Sequence, residues 1–160
     1  MDGFIAHLLS FREVTILDIR PLDVTIPNLT VTLGDAQNGL SHLKGKYSSV
    51  SSLHSIEHFG LGRYGDNLDS EGHEKGLRNI AGCVSENGTL YVSCPIGTAA
   101  VEFNAQRIID PLWAVRVLTD FTLEEFVLIP WKDQPVYGLK PEDVDVSVWG
   151  QAGLYRFKRI

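Results

Sequence analysis

The chain has little cysteine, no surplus of positive charge and no long apolar run, and each shortage narrows what it can do. Only Cys83 and Cys94 occur among its 160 residues. They match no zinc-ligand spacing, and two thiols in a domain of ordinary size read as reduced core residues of a reducing compartment. The net charge is −6, and no basic stripe runs along the chain. That argues against nucleic acid as a main partner and leaves small molecules, cationic ones included. No apolar stretch approaches the ~20 residues of a membrane span. The N-terminus has neither a basic segment nor a signal-type apolar core. The expectation is a cytoplasmic protein with no membrane partner. Internal repeats, low-complexity tracts and linkers are also absent, so residues 1–160 read as one domain, with enough apolar residues for a real core.

What is present centres on KYSSVSSLHSIEHFGLGRYGD, residues 46–66. A small-residue strand, Tyr47 to Leu53, runs into His54, Glu57 and His58. It then empties into a loop holding Gly60, Gly62, Gly65, Arg63, Tyr64 and Asp66. A strand that ends in a glycine-rich, charged loop is where an open α/β sheet places a ligand.

The rest of the chain alternates around that stretch. Phe4 to Phe11 has the spacing of a short buried helix, with Asp2-Gly3 as its start. Val14 to Ile19 is a near-continuous apolar run, read as a strand buried on both faces, with Pro21 ending it. Leu29 to Leu33 is a second strand, stopped by Gly34-Asp35-Ala36, and Leu40 to Leu43 fits a single helical turn. Ser70 to Val84 is the clearest helix, with Leu77, Ile80, Ala81 and Val84 on one face. Thr89 to Cys94 is the fourth strand. Asp110-Pro111 opens another helix reaching about Leu118. Phe126 to Trp131 and Gly153 to Ile160 are strands on either side of a polar surface loop. The alternation predicts a mostly parallel sheet with helices on its faces, and the two closing strands an antiparallel end.

Four sets of residues could carry chemistry. Asp18 lies at the carboxyl end of a buried strand, where its two oxygens can accept both hydroxyls of a ribose, or simply carry a surface charge. Asp35 ends the next strand and can accept from an exocyclic amine while the backbone beside it donates to a ring nitrogen; a plain turn is the other reading. Glu57 or His58 can take a proton from a substrate, or Glu57 can brace the glycine loop. Arg63, Tyr64 and Asp66, with Asn104 and Arg107 after the fourth strand, lie on the same rim. They could recognise an anionic or sugar-like acceptor, or form a loop-bracing Arg–Asp pair. His54-Ser55-Ile56-Glu57-His58 also fits the H-x-x-E-H pattern of inverted zinc peptidases. That chemistry needs both histidines on one helix face, and the neighbours here read as strand and glycine loop. No metal is therefore expected.

The series ILDIRP, LGDA, YSSVSSLHSIEH and NGTLYVSCP resembles the segments downstream of the glycine loop in class I S-adenosylmethionine-dependent methyltransferases. More closely, DGFIAHLLSF, DIRPL, LHSIEHFGLGRYGD, LYVSCPIG and VEFNAQR resemble an uncharacterised methyltransferase-like family of nematodes and bacteria, over roughly residues 2 to 110. The resemblance implies a Rossmann-like three-layer α/β sandwich. Its first strand and glycine turn would fall immediately ahead of Asp2-Gly3, so the expected domain lacks them. It further implies S-adenosylmethionine as cofactor, with Asp18 and Ile19 at the ribose, Asp35 and Ala36 at the adenine, and Leu53 and His54 beside the methionine part. The implied function is methyl transfer to a small-molecule or saccharide-like acceptor. A non-catalytic binding module on the same fold and a zinc peptidase are the alternatives.

Overall fold

A computed structural model describes residues 3–103 and 105–160. Asp2 and Asn104, named above, lie outside the described residues. The elements in chain order are α1 (Gly3–Leu9), β1 (Val14–Asp18), β2 (Leu29–Leu33), β3 (Tyr47–Leu53), α2 (Gly72–Gly82) and β4 (Val84–Ile96). They continue with β5 (Ala100–Val101), β6 (Arg107–Ile108), α3 (Trp113–Val117), β7 (Phe121–Ile129), β8 (Val136–Tyr137) and β9 (Gln151–Arg159). Turns of 3-10 helix occupy Ala36–Asn38, Ser41–Leu43, Ile56–His58 and Pro141–Asp143.

The strands form three separate groups, one of them the small β5–β6 hairpin, rather than the one mostly parallel sheet expected. β1 and β2 pair in parallel with each other alone, and a five-stranded sheet has the order β3-β4-β9-β7-β8. Within it β3 and β4 are parallel, while β4–β9, β7–β9 and β7–β8 are antiparallel. The antiparallel end is thus the larger part of this sheet. An edge left without a neighbour has a visible consequence in β1. Three of its five residues are apolar, yet all five are only half-buried.

Residues alternate across each strand, so paired positions fall on one face. Leu90, Val92 and Cys94 of β4 stand beside Phe157, Tyr155 and Gly153 of β9. Those side chains are buried, with Leu77, Ile80 and Ala81 of α2 and Ala114 and Val117 of α3, in one core. The opposite face carries Tyr91 and Leu154, 41% and 38% exposed, and the ion pairs of Arg156 with Glu124 and Glu125. Over this part of the sheet the arrangement has two layers, where three were expected. Both cysteines are free and buried, and burial pushes their thiols up, that of Cys94 with help from Glu57.

Some boundaries differ for physical reasons. The repeat that placed Val84 on the long helix also suits a strand, and Val84 opens β4, where it lies beside Tyr47. The expected buried N-terminal helix has no buried residue, and Phe4 and Phe11 are 49% and 58% exposed. Asp110 accepts from the Leu112 amide at 2.8 Å, which turns the chain, and the helix itself begins at Trp113.

Candidate functional site

The loops after β1, β2 and β3 meet on one rim. Arg20, two residues past β1, lies over the Tyr64 ring at 5.2 Å. Gln37, past β2, donates to Asp66 at 3.4 Å. Asp18 ends β1, and Asp35 and His54 open the loops after β2 and β3, so the three lie around this loop cluster. Leu33 and Leu53 beside them leave apolar side chains 63% and 47% exposed. Ile19 is half-buried just past β1, and Ala36 is buried, its carbonyl accepting from Asn79.

Both aspartates are engaged by their own loops. Asp18 Oδ1 accepts from the Arg20 amide at 2.8 Å and Nε at 3.1 Å, and Oδ2 from Nη2 at 3.2 Å. The Arg20 guanidinium holds its carboxyl below the usual range. This pair is solvent-exposed, so its net worth is of order 0–1 kcal/mol and a ligand hydroxyl can displace it. Asp35 caps the following 3-10 turn, accepting from the Gln37 amide at 2.8 Å and from Asn38 at 2.8 Å.

The end of β3 is conformationally unusual. His54 has φ +49°, a left-handed backbone that costs a non-glycine residue roughly 1–2 kcal/mol. Its amide is held by the Ser93 carbonyl at 3.0 Å and hydroxyl at 3.1 Å. The bend presents the imidazole to solvent, 52% exposed, while its Nδ1 meets Glu57 Oε1 at 3.2 Å. Glu57 is only 1% exposed, and its Oε2 has no hydrogen-bond partner among the described residues. His58 turns elsewhere, its Nδ1 on the Ala105 carbonyl at 3.0 Å. His54 precedes a 3-10 turn and His58 ends it, so the two do not share an α-helix face. Among the described residues no His, Cys, Asp and Glu cluster could hold a metal ion. The geometry of an H-x-x-E-H metal site is thus missing.

The hydrogen bond that His54 donates to Glu57 raises the His54 pKa above the ordinary histidine value, against the opposing effect of burial. A raised folded pKa means the pair stabilises the fold fully below the unfolded value and less as pH climbs through the folded one. Histidine NMR should therefore show His54 titrating above 6.5, and Glu57→Gln should move the midpoint down. An unmoved midpoint would show that the pair is not coupled.

The glycine loop is held from within. Asp66 accepts from the amides of Gly60 at 2.7 Å, Gly62 at 3.3 Å and Tyr64 at 3.2 Å. Burial pushes its carboxyl up, and these amides outweigh that to leave it low. Arg63 donates to the Ala105 carbonyl and stacks on Tyr64. Arg107, placed above with the rim cations, is 6% exposed; it donates to the Phe59 carbonyl, and to that of Asp69 at 3.3 Å. Its guanidinium is committed to the loop.

The sequence pattern gives no sign of a cavity of about 270 Å³ at the end of β4, lined by Ile96, Glu102, Gln106, Ile108, Val146 and Trp149 among others. Glu102 and Trp149 sit in connecting segments with no periodic signal, and only the folded chain brings them together.

The family model described as "Caenorhabditis protein of unknown function, DUF268" matches residues 17–127, and the chain belongs to that family. By sequence, no curated protein matches it. Among solved structures the fold is that of class I methyltransferases. The N-methyltransferase NodS of Bradyrhizobium japonicum, in complex with S-adenosylhomocysteine, is similar at TM-score 0.59 and 12% identity, over 98% of this chain and 72% of that one. The Burkholderia thailandensis 1,6-didemethyltoxoflavin-N1-methyltransferase, with bound 1,6-didemethyltoxoflavin and S-adenosylhomocysteine, gives 0.63 and 10%, over 98% and 66%. The [4+2]-cyclase SpnF gives 0.66 and 11%, over 98% and 70%. The fold therefore serves more than one reaction. No helix among the described residues is long and apolar enough to cross a membrane.

Proposed function

We propose that this chain is a cytoplasmic, single-domain methyltransferase that moves a methyl group from S-adenosylmethionine to a small-molecule acceptor, saccharide-like ones included. The observation that carries this reading is the His54–Glu57 pair at the end of β3, on the rim shared by Asp18 and Asp35. The residues present suit the cofactor. Exposed Leu33 and Leu53 offer apolar surface for a ring and a thioether chain. Asp18, with its displaceable Arg20, suits a ribose diol with Ile19 beside it, and Asp35 with Ala36 the adenine.

When bound, the cofactor supplies a methyl group already activated by its sulfonium. The protein's part is alignment and proton removal. Glu57 Oε1 accepts the Nδ1 proton of His54, which leaves Nε2 free to take a proton from the acceptor. Glu57 is too buried to meet the acceptor itself, so it acts as a positioning residue. His58, tied to Ala105, fixes the loop against the β5–β6 hairpin, and Arg63, Tyr64 and Asn104 remain candidates for acceptor contacts.

A second reading, a non-catalytic binding module, is favoured by the way Asp18 and Asp35 already satisfy their own loops. Equilibrium dialysis with S-adenosylmethionine separates the two. The methyltransferase reading expects saturable binding, and Asp18→Ala should weaken it about tenfold to a hundredfold, as loss of a hydrogen bond to a charged group does. Unchanged affinity in that variant would remove Asp18 from the site.

A further inference from the structure

We propose that the cavity at the end of β4 is the acceptor subsite, and that it takes a small molecule carrying a cationic amine on an apolar body. This rests on the methyl-transfer reading and names its substrate class. At about 270 Å³ the cavity is near the lower end of ligand pockets, ~300–1,000 Å³, so it suits one ring and a short tail. It lies where β4 ends beside the start of β9, Ile96 opposite Gln151. Apolar walls come from Ile108, Val146, Val148 and Trp149. Trp149 and Val148 stay 72% and 47% exposed, so the chain's own side chains leave this surface open.

Charge sets the ligand class. Among the described lining residues Glu102 alone is charged. Its Oε2 accepts from the Gln106 amide at 3.3 Å, a neutral donor, and no described cation pairs with it. The nearby cations are turned to other partners. Arg107 is held by the Phe59 and Asp69 carbonyls, Arg63 by that of Ala105, and Lys132 lies over Trp131. A carboxylate between apolar walls, without a cation, favours a ligand that brings one. The Trp149 indole adds an attractive face for the same charge. The hairpin supplying Glu102 and Gln106 also carries the Ala105 carbonyl that holds His58. The His54 amide donates to the Ser93 carbonyl at 3.0 Å, three residues before Ile96 on β4. The subsite and the His54–Glu57 pair thus share the end of β4.

The test is a ligand-observed NMR titration with 2-phenylethylammonium and its near-isostere of opposite charge, 3-phenylpropanoate, run beside S-adenosylhomocysteine. The ammonium should bind and the carboxylate should not. Glu102→Gln should weaken the ammonium at least tenfold while leaving S-adenosylhomocysteine unchanged, and Glu102→Asp should keep the preference for positive charge. Equal binding of both probes, or an ammonium affinity untouched by Glu102→Gln, overturns the assignment. So does a protein that binds S-adenosylhomocysteine but not the ammonium. If the ammonium binds through Glu102 while S-adenosylhomocysteine does not bind at all, the methyl-transfer reading falls, and the acceptor role falls with it.

Discussion

Gly60→Ala is expected to lower the unfolding free energy by about 3–5 kcal/mol, a large share of the ~5–15 kcal/mol typical of a domain. Gly60 has φ +75°, and a Cβ there would lie 2.0 Å from the Asp69 carbonyl oxygen and 3.2 Å from the Gly72 Cα. Both obstacles are backbone, so no side chain can swing aside. The left-handed conformation costs alanine roughly 1–2 kcal/mol. Moving residue 69 away breaks the Asp69 amide's bond to the Gly60 carbonyl, 3.0 Å long, at about 1–3 kcal/mol for a stranded buried group. Gly65 is the control. Its φ is +90° and nothing lies within 4 Å of its added Cβ, so alanine there should cost only the conformational part. Urea unfolding of the two variants measures the difference; equal losses would show that the close packing of the loop on Asp69 is unimportant.

Arg107→Met should also be damaging, at about 1–3 kcal/mol. The substitution keeps much of the apolar stem and removes the guanidinium that serves the Phe59 and Asp69 carbonyls. The Phe59 carbonyl left without its donor costs roughly 1–3 kcal/mol, offset in part because burial no longer opposes a charge, while the Asp69 carbonyl keeps the Gly72 amide at 3.0 Å. Burial indeed holds the Arg107 pKa below its ordinary value, against Asp66 and Asp69. Lysine should restore only part of the loss, since one ammonium cannot reproduce the fork. Because Gly60 and Arg107 meet at Asp69, the double variant should lose less than the sum of the two. A variant of unchanged stability would return Arg107 to the residues free to bind a ligand.

That revision of Arg107 shows where sequence stops being informative. Beside Asn104 and after a strand, an arginine reads as a rim cation, and only tertiary packing reveals that its charge is spent on the backbone. Asp66 is similar, since its partners are amides of its own loop and the Gln37 side chain, not Arg63. By contrast β2 and β3 were legible to the residue, because apolar and small residues end abruptly at Gly34 and at His54. The helix face of Leu77, Ile80 and Ala81 was equally clear. The antiparallel pairing of β7 with β9 was expected as well, but the other sheet neighbours were not clear, because periodicity gives a strand's faces and says nothing of which edge it joins. The separate β1–β2 pair and the two-residue strands β5, β6 and β8 fall outside what spacing can carry. His54 and Glu57 were visible as unusually polar, while their division into an exposed imidazole and a buried orienting carboxyl needed the left-handed bend.

The central claim is that the rim formed by the ends of β1, β2 and β3 holds the adenosyl cofactor. The most direct measurement is an amide NMR titration of the labelled chain with S-adenosylhomocysteine. The account predicts saturable shifts clustered at Asp18 and Ile19, at Gly34 to Ala36, and at Leu53 and His54. No saturable shift at millimolar ligand, or a cluster confined to the Trp131–Trp149 side of the sheet, would contradict it.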